Sequence, residues 1–67
     1  MNNIRELRRA RSMTQKELAD RVGTTQKRIC YWERERNIPT LQNAAKIAQA
    51  LGCRMEDLIQ EKRNEAS

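Results

Sequence analysis

The chain has 67 residues, with 14 Lys or Arg against 9 Asp or Glu, a net charge of +5, two cysteines and no histidine. That length supports one domain around a single small core, near the lower limit for folding without disulfides or metals, and leaves no room for a second functional domain. With no histidine, no clustered carboxylates, no Gly-rich phosphate loop and no CxxC pair, acid–base, nucleophilic and metal-assisted chemistry all lack their usual groups, so an enzyme, a metal or another cofactor is not expected.

Ile4, Leu7, Arg8 and Arg11 share one side of a first helix predicted over roughly 3–11, whose apolar stripe is thin and whose other faces are basic. This opening, MNNIRELRRAR, has no apolar leader segment, and no later run approaches the ~18 apolar residues of a membrane span. A reducing cytoplasm is therefore the expected compartment. Ser12 and Met13 mark the helix end. Thr14 followed three residues later by Glu17 is a capping box, in which the Thr hydroxyl accepts from the N3 amide and the Glu reaches back. It starts a second helix, with Leu18, Ala19 and Val22 on the buried side.

Gly23 ends that helix, because a left-handed C-terminal residue costs a side chain with a Cβ about 1 kcal/mol or more. Thr25 caps a third helix that takes Gln26 as its first residue and runs to about Arg34. Only Gly23 and Thr24 lie between the second helix and this cap. So short a link predicts a sharp crossing, the roughly 90 to 120 degrees of a helix-turn-helix, and the small Ala19 suits close approach. The stretch NIPT, residues 37–40, is a loop because Pro39 cannot sit inside a helix and pushes Ile38 toward extended geometry. Thr40 caps a fourth helix over Leu41–Leu51, with Leu41, Ala44, Ala45, Ile47, Ala48 and Leu51 at core spacing and Gly52 as its C-cap. A short fifth helix over about 55–60 offers Met55, Leu58 and Ile59. The domain is expected to span 1–60, with residues 61–67 as a polar tail. The fold class is all-α, a compact five-helix bundle.

Charge is uneven along this bundle. Residues 1–40 hold ten Lys or Arg against five Asp or Glu, whereas residues 41–67 hold four against four, so the whole excess lies in the first part. Such polarity favours an anionic partner, since cations beside phosphates release condensed counterions. On the third helix, at about 100 degrees per residue from Gln26, Ile29, Trp32 and Glu33 fall between roughly 240 and 340 degrees. Gln26, Cys30, Arg34, Lys27 and Tyr31 fall between 0 and about 140. One face is core, including Trp32, and the other is free and rich in hydrogen-bonding groups. A helix of that width fits the major groove of B-form DNA, where Gln pairs with adenine and Lys donates to guanine. Cys30 points outward near this surface. It is separated from Cys53 by 22 residues, a spacing that gives a disulfide between them little motive.

From Gln15, the chain carries Ala19 fifth and Gly23 ninth, with Leu18, Val22, Ile29 and Trp32 at buried positions, and this resembles the helix-turn-helix of the phage repressor and Cro family. IRELRRARSMTQKELA, the WER of residues 32–34, Pro39-Thr40 and KIAQALG extend the resemblance over residues 4–59. It implies a lambda-repressor-like DNA-binding domain in which Gln15 holds a backbone phosphate and Thr25, Gln26, Lys27 and Tyr31 read base edges. It also implies that Arg34, Arg36 and Asn37 grip phosphate, with Arg28 at the edge of the free face on phosphate too. Glu35 stands where many relatives have glycine, which weakens that grip. Arg8 and Glu33 match a structural ion pair between the first and third helices. The implied function is sequence-specific regulation of transcription, as a repressor bound to a palindromic site in double-stranded DNA. A homodimer is expected because specific sites need two reading helices about 34 Å apart. The dimer surface is expected near the fourth and fifth helices, where Met55, Leu58 and Ile59 either leave apolar area exposed or all join the core. The same fold also serves adaptors and antitoxins that hold a protein partner, and the short chain fits that alternative.

Overall fold

The computed structural model describes residues 2–58 of the chain. These form α1 (Ile4–Ala10), α2 (Gln15–Val22), α3 (Gln26–Glu33), α4 (Leu41–Leu51) and α5 (Met55–Leu58). The first and third helices close one residue inside the predicted bounds, with Asn3 and Arg11 flanking α1 and Arg34 capping α3. Positions 59 and 60 of the predicted fifth helix, Ile59 among them, and the tail 61–67 lie outside the described residues.

Local chemistry sets nearly every boundary. Both halves of the capping box are present, with Glu17 N donating to Thr14 Oγ1 at 3.0 Å and Thr14 N donating to Glu17 Oε1 at 2.8 Å. Gly23 takes φ 84, the left-handed conformation, and its N–H and that of Thr24 both donate to Ala19 O, which turns the chain at once. Thr25 Oγ1 accepts from Arg28 N, and Thr40 Oγ1 accepts from Asn43 N, each at 3.2 Å. At the far end of α4, Gly52 is left-handed and Arg11 donates to Leu51 O and Gly52 O. A cation at that terminus satisfies orphan carbonyls and opposes the negative end of the helix dipole. α1 has no side-chain cap from Asn3. Instead Asn2 accepts from Ile4 N and donates to Trp32 O, while Asn3 donates to Leu58 O and Asp57 O, so the chain start is stitched to the ends of α3 and α5.

One core gathers these elements. Ile4, Leu18, Ile29, Ile47, Leu51 and Leu58 are fully buried, and Met13, Ala19, Val22, Trp32, Ala44 and Ala48 complete the cluster. Each large aliphatic side chain taken from water in this way contributes roughly 1.5 to 3 kcal/mol. α2 packs on α3 and α4, α1 spans α3 and α4, and α5 closes against α4. α3 is thus fixed by its neighbours along one side only.

Two readings of the apolar pattern are corrected, and the open one at the fifth helix resolves toward the core. Leu41 is 76% exposed, because it opens α4 one turn ahead of Ala44 and no neighbouring helix covers that turn. Ala45 is exposed because the buried stripe runs through Ala44, Ile47, Ala48 and Leu51, about 100 degrees away around the helix. Leu58 is fully buried and Met55 packs against the core, so neither supplies an open apolar surface for a dimer. Met13, expected only as a helix end, is a core residue.

An added Cβ at Gly23 meets nothing within 4 Å, so the penalty of Gly23→Ala is purely conformational. Urea denaturation of this variant is expected to show a loss of about 1 kcal/mol at unchanged m value, with Gly23→Asn losing less. No shift in midpoint for Gly23→Ala would contradict the left-handed turn.

Candidate nucleic-acid interface

α3 divides into two unlike faces. Ile29 and Trp32 are buried, and the Glu33 side chain is only 4% exposed. Gln26, Lys27, Arg28 and Arg34 stand in solvent, with Cys30 and Tyr31 half-buried between them. Lys27 Nζ lies 5.9 Å from the centroid of the Tyr31 ring, one helical turn on, so the cation and the aromatic face are held as a pair on the free side. Thr25 is exposed but its hydroxyl oxygen already caps the helix. Beyond α3, Tyr31, Arg36 and Asn37 line a shallow depression of about 460 Å³. Glu35, between them in sequence, adopts φ 62, the backbone conformation that glycine takes most cheaply, and its carboxylate accepts from Asn2 N at 3.3 Å.

A buried polar network fixes this helix to the rest of the bundle. Arg8 Nε donates to Glu33 Oε2 at 2.6 Å and Arg8 Nη2 to Glu33 Oε1 at 3.2 Å, a two-pronged contact. Arg8 Nη1 donates to Met13 O at 2.8 Å, and Gln15 Nε2 donates to Glu33 Oε1 at 3.1 Å. Every buried polar side-chain atom among the described residues has a partner. The hydrogen bond to Glu33 raises the Arg8 guanidinium above the ordinary arginine value, with burial opposing and charge attraction assisting. Its contribution to stability is therefore complete below the ordinary arginine value and is lost only as pH climbs past the raised one, far into alkali.

Both cysteines are free thiols. Burial and then Asp57 push the Cys53 thiol up, against a smaller lowering by Arg11. Among the described residues no group of three or more Cys, Asp or Glu is placed to hold a metal ion, and no helix is long and apolar enough to cross a membrane.

Residues 4–58 match the helix-turn-helix family. The chain belongs to that family, in its phage repressor and Cro branch. It is 44% identical over 56 residues to an HTH-type transcriptional regulator of Archaeoglobus fulgidus, covering 84% of this chain and 80% of the relative. A regulator of Methanothermobacter thermautotrophicus is 49% identical over 49 residues, 73% of this chain and 71% of its own length. In three dimensions the chain is similar to the P22 c2 repressor, solved in complex with synthetic operator 9T, at a TM-score of 0.83 and 29% identity over 87% of this chain and 88% of that one. The family is one of DNA-binding transcription regulators and not of enzymes.

In this helix-turn-helix protein, Thr25, Gln26 and Lys27 stand exposed at the start of α3 with Tyr31 half-buried one turn beyond Lys27, and Arg34, Arg36 and Asn37 are exposed past its C-terminal end. Arg28 stands exposed beside them. Gln15 is less free than its sequence position suggests, since one amide N–H is committed to Glu33. Arg5 and Arg9, one helical turn apart on α1, are also exposed.

A double-mutant cycle checks the network. Arg8→Met and Glu33→Leu alone are each expected to cost about 3 to 5 kcal/mol, since each strands a buried charge, whereas the double variant loses far less than the sum. Melts in a stabilising osmolyte keep the single variants folded enough to measure, and additive losses would contradict the coupling.

Proposed function

We propose that this chain is a sequence-specific transcriptional regulator acting in the cytoplasm, a repressor that binds a palindromic site in double-stranded DNA as a homodimer and occludes a promoter. The observation that carries this reading is the strip of exposed Gln26 and Lys27 and half-buried Tyr31 on a helix whose opposite face is buried. A helix presented in that way enters the major groove, where Gln26 pairs with adenine N6 and N7 and Lys27 donates to guanine O6 and N7. Thr25 and Tyr31 complete the base contacts. Gln15, Arg28, Arg34, Arg36 and Asn37 hold backbone phosphates and set register without reading sequence. The likeness to a repressor solved on operator DNA supports the same docking.

Ile38 and Leu41, 85% and 76% exposed, are the large apolar side chains left open among the described residues, and they follow the phosphate-gripping loop. They are the proposed contact between two copies, in place of Met55 and Leu58. Two side chains offer much less than the roughly 800 Å² per partner of a stable interface. The pairing therefore forms when two chains occupy adjacent half-sites, and the free chain is a monomer.

Selection from randomised duplexes at fixed salt is expected to return an inverted repeat with half-site centres about 34 Å apart. On that site Lys27→Ala relaxes preference at one base pair by about 1 to 3 kcal/mol, whereas Arg36→Ala weakens every sequence alike and reduces the salt slope by about one. Identical behaviour of the two variants on selected and scrambled duplexes would refute the division into base readers and phosphate grippers.

A further inference from the structure

Lys27 stands exposed at the second position of α3, whose first turn carries no acidic residue. Among the described residues it forms no ion pair, so no carboxylate directs its ammonium. The group that does lie beside it is the Tyr31 ring, whose centroid is 5.9 Å from Nζ. Residues four apart share one side of a helix, and helical side chains lean toward the N-terminus, so the Tyr31 side chain reaches back along the turn that carries Lys27. The two differ in freedom. Tyr31 is half-buried and backs the depression it shares with Arg36 and Asn37, and a tyrosine has only two side-chain torsions to fix. Lys27 carries a compact charge on a flexible four-carbon stem.

That difference bears on base reading. A mobile ammonium is satisfied by any acceptor in a groove and by any phosphate, and it tells guanine from the other bases only when it is delivered to O6 and N7. An aromatic face attracts a cation and favours the stem positions that keep the two together. We infer that Tyr31 is a positioning residue for Lys27, its ring setting where the ammonium stands, so that the guanine preference belongs to the pair and not to Lys27 alone. The inference rests on the DNA-binding reading above and deepens it, because Tyr31 then acts through another side chain besides touching a base edge itself. An exposed cation–π contact corresponds to about two- to fivefold in an equilibrium constant, which sets the size of the effect.

The test uses the full chain and duplexes that differ only at the base pair whose preference Lys27→Ala relaxes. Discrimination, the ratio of affinities for the selected and the substituted duplex, is measured for the wild type, Tyr31→Phe and Tyr31→Leu, and for each of the three combined with Lys27→Ala. Tyr31→Phe keeps the ring and keeps the wild-type ratio. Tyr31→Leu keeps apolar bulk without an aromatic face and lowers the ratio by about two- to fivefold, an effect that vanishes once Lys27 is alanine. The same loss in both backgrounds, or a loss in Tyr31→Phe as large as in Tyr31→Leu, assigns Tyr31 a direct base contact only and overturns the inference. So does a Tyr31→Leu chain that weakens on both duplexes alike with its ratio intact, which is the mark of a merely structural role. A second measurement needs no DNA and no variant: the Lys27 Hε protons of the wild-type chain are expected upfield of their ordinary position, shifted by the ring current of Tyr31, and unshifted protons overturn the pairing. Should Lys27→Ala leave every base preference intact, Tyr31 has nothing to position and the inference falls. A wild type that prefers no duplex removes the sequence-specific reading and this inference together, whereas missing coupling in a wild type that does discriminate removes this inference alone.

Discussion

The Glu33 carboxylate accepts three N–H donors, two from Arg8 and one from Gln15, and through Arg8 it is also tied to the Met13 carbonyl. Four separate pieces of chain meet there: α1, the turn after it, the first residue of α2 and the last residue of α3. Hydrophobic contact is not directional enough to do this, since Ile29 and Trp32 resist withdrawal of α3 from the core but resist rotation of it only weakly. The charge-assisted bonds supply the orientation. A buried ion pair adds little net stability, because desolvation offsets most of the attraction. What it does is penalise every arrangement in which either partner lacks the other. In a chain of 67 residues with a small core, that penalty is a large share of the total stability.

With α3 held in one rotational setting, the division of its residues becomes functional. The side chains turned inward are chosen by packing. Gln26, Lys27, Arg28, Tyr31 and Arg34 contribute little to the fold, and their long polar groups are explained by a charged, hydrogen-bonding partner. The two-residue break at Gly23 and Thr24 matters for the same reason: it turns the chain so that α2 packs on α3, which braces the buried side of the presented helix. On the free face the Lys27 ammonium lies 5.9 Å from the Tyr31 ring centroid, so the two neighbouring side chains present a cation and an aromatic face together.

Much of this was legible in the sequence wherever the determining interaction is local. The Thr14 and Glu17 box, the Thr25 and Thr40 caps and the glycines at 23 and 52 each act within a few residues, and their geometry follows from residue type. The two faces of α3 were legible because helical periodicity sorts them without knowledge of neighbours. Residues whose fate depends on which helix lies alongside were misread. Leu41 continues the stripe of α4 but overhangs its neighbours, and Ala45 misses the stripe by one position. Met13 was passed over because a turn residue carries no periodic signal. Long-range polar ties were equally invisible: nothing at Arg11 announces that it caps a helix ending forty residues later at Leu51, nor does Asn2 announce its bond to Trp32 O. Arg8 and Glu33 were found by resemblance, since no local rule pairs residues 25 positions apart.

Amide and side-chain chemical-shift mapping of the ¹⁵N-labelled chain on a selected duplex tests the presentation of α3 most directly. The account predicts the largest changes at the Gln26 side-chain amide and along residues 24–31 and 34–37, smaller ones at Ile38 and Leu41 where two copies meet, and none at Lys46 and Gln49 further along α4. Changes centred on α4 and α5, with the Gln26 amide undisturbed, would contradict it.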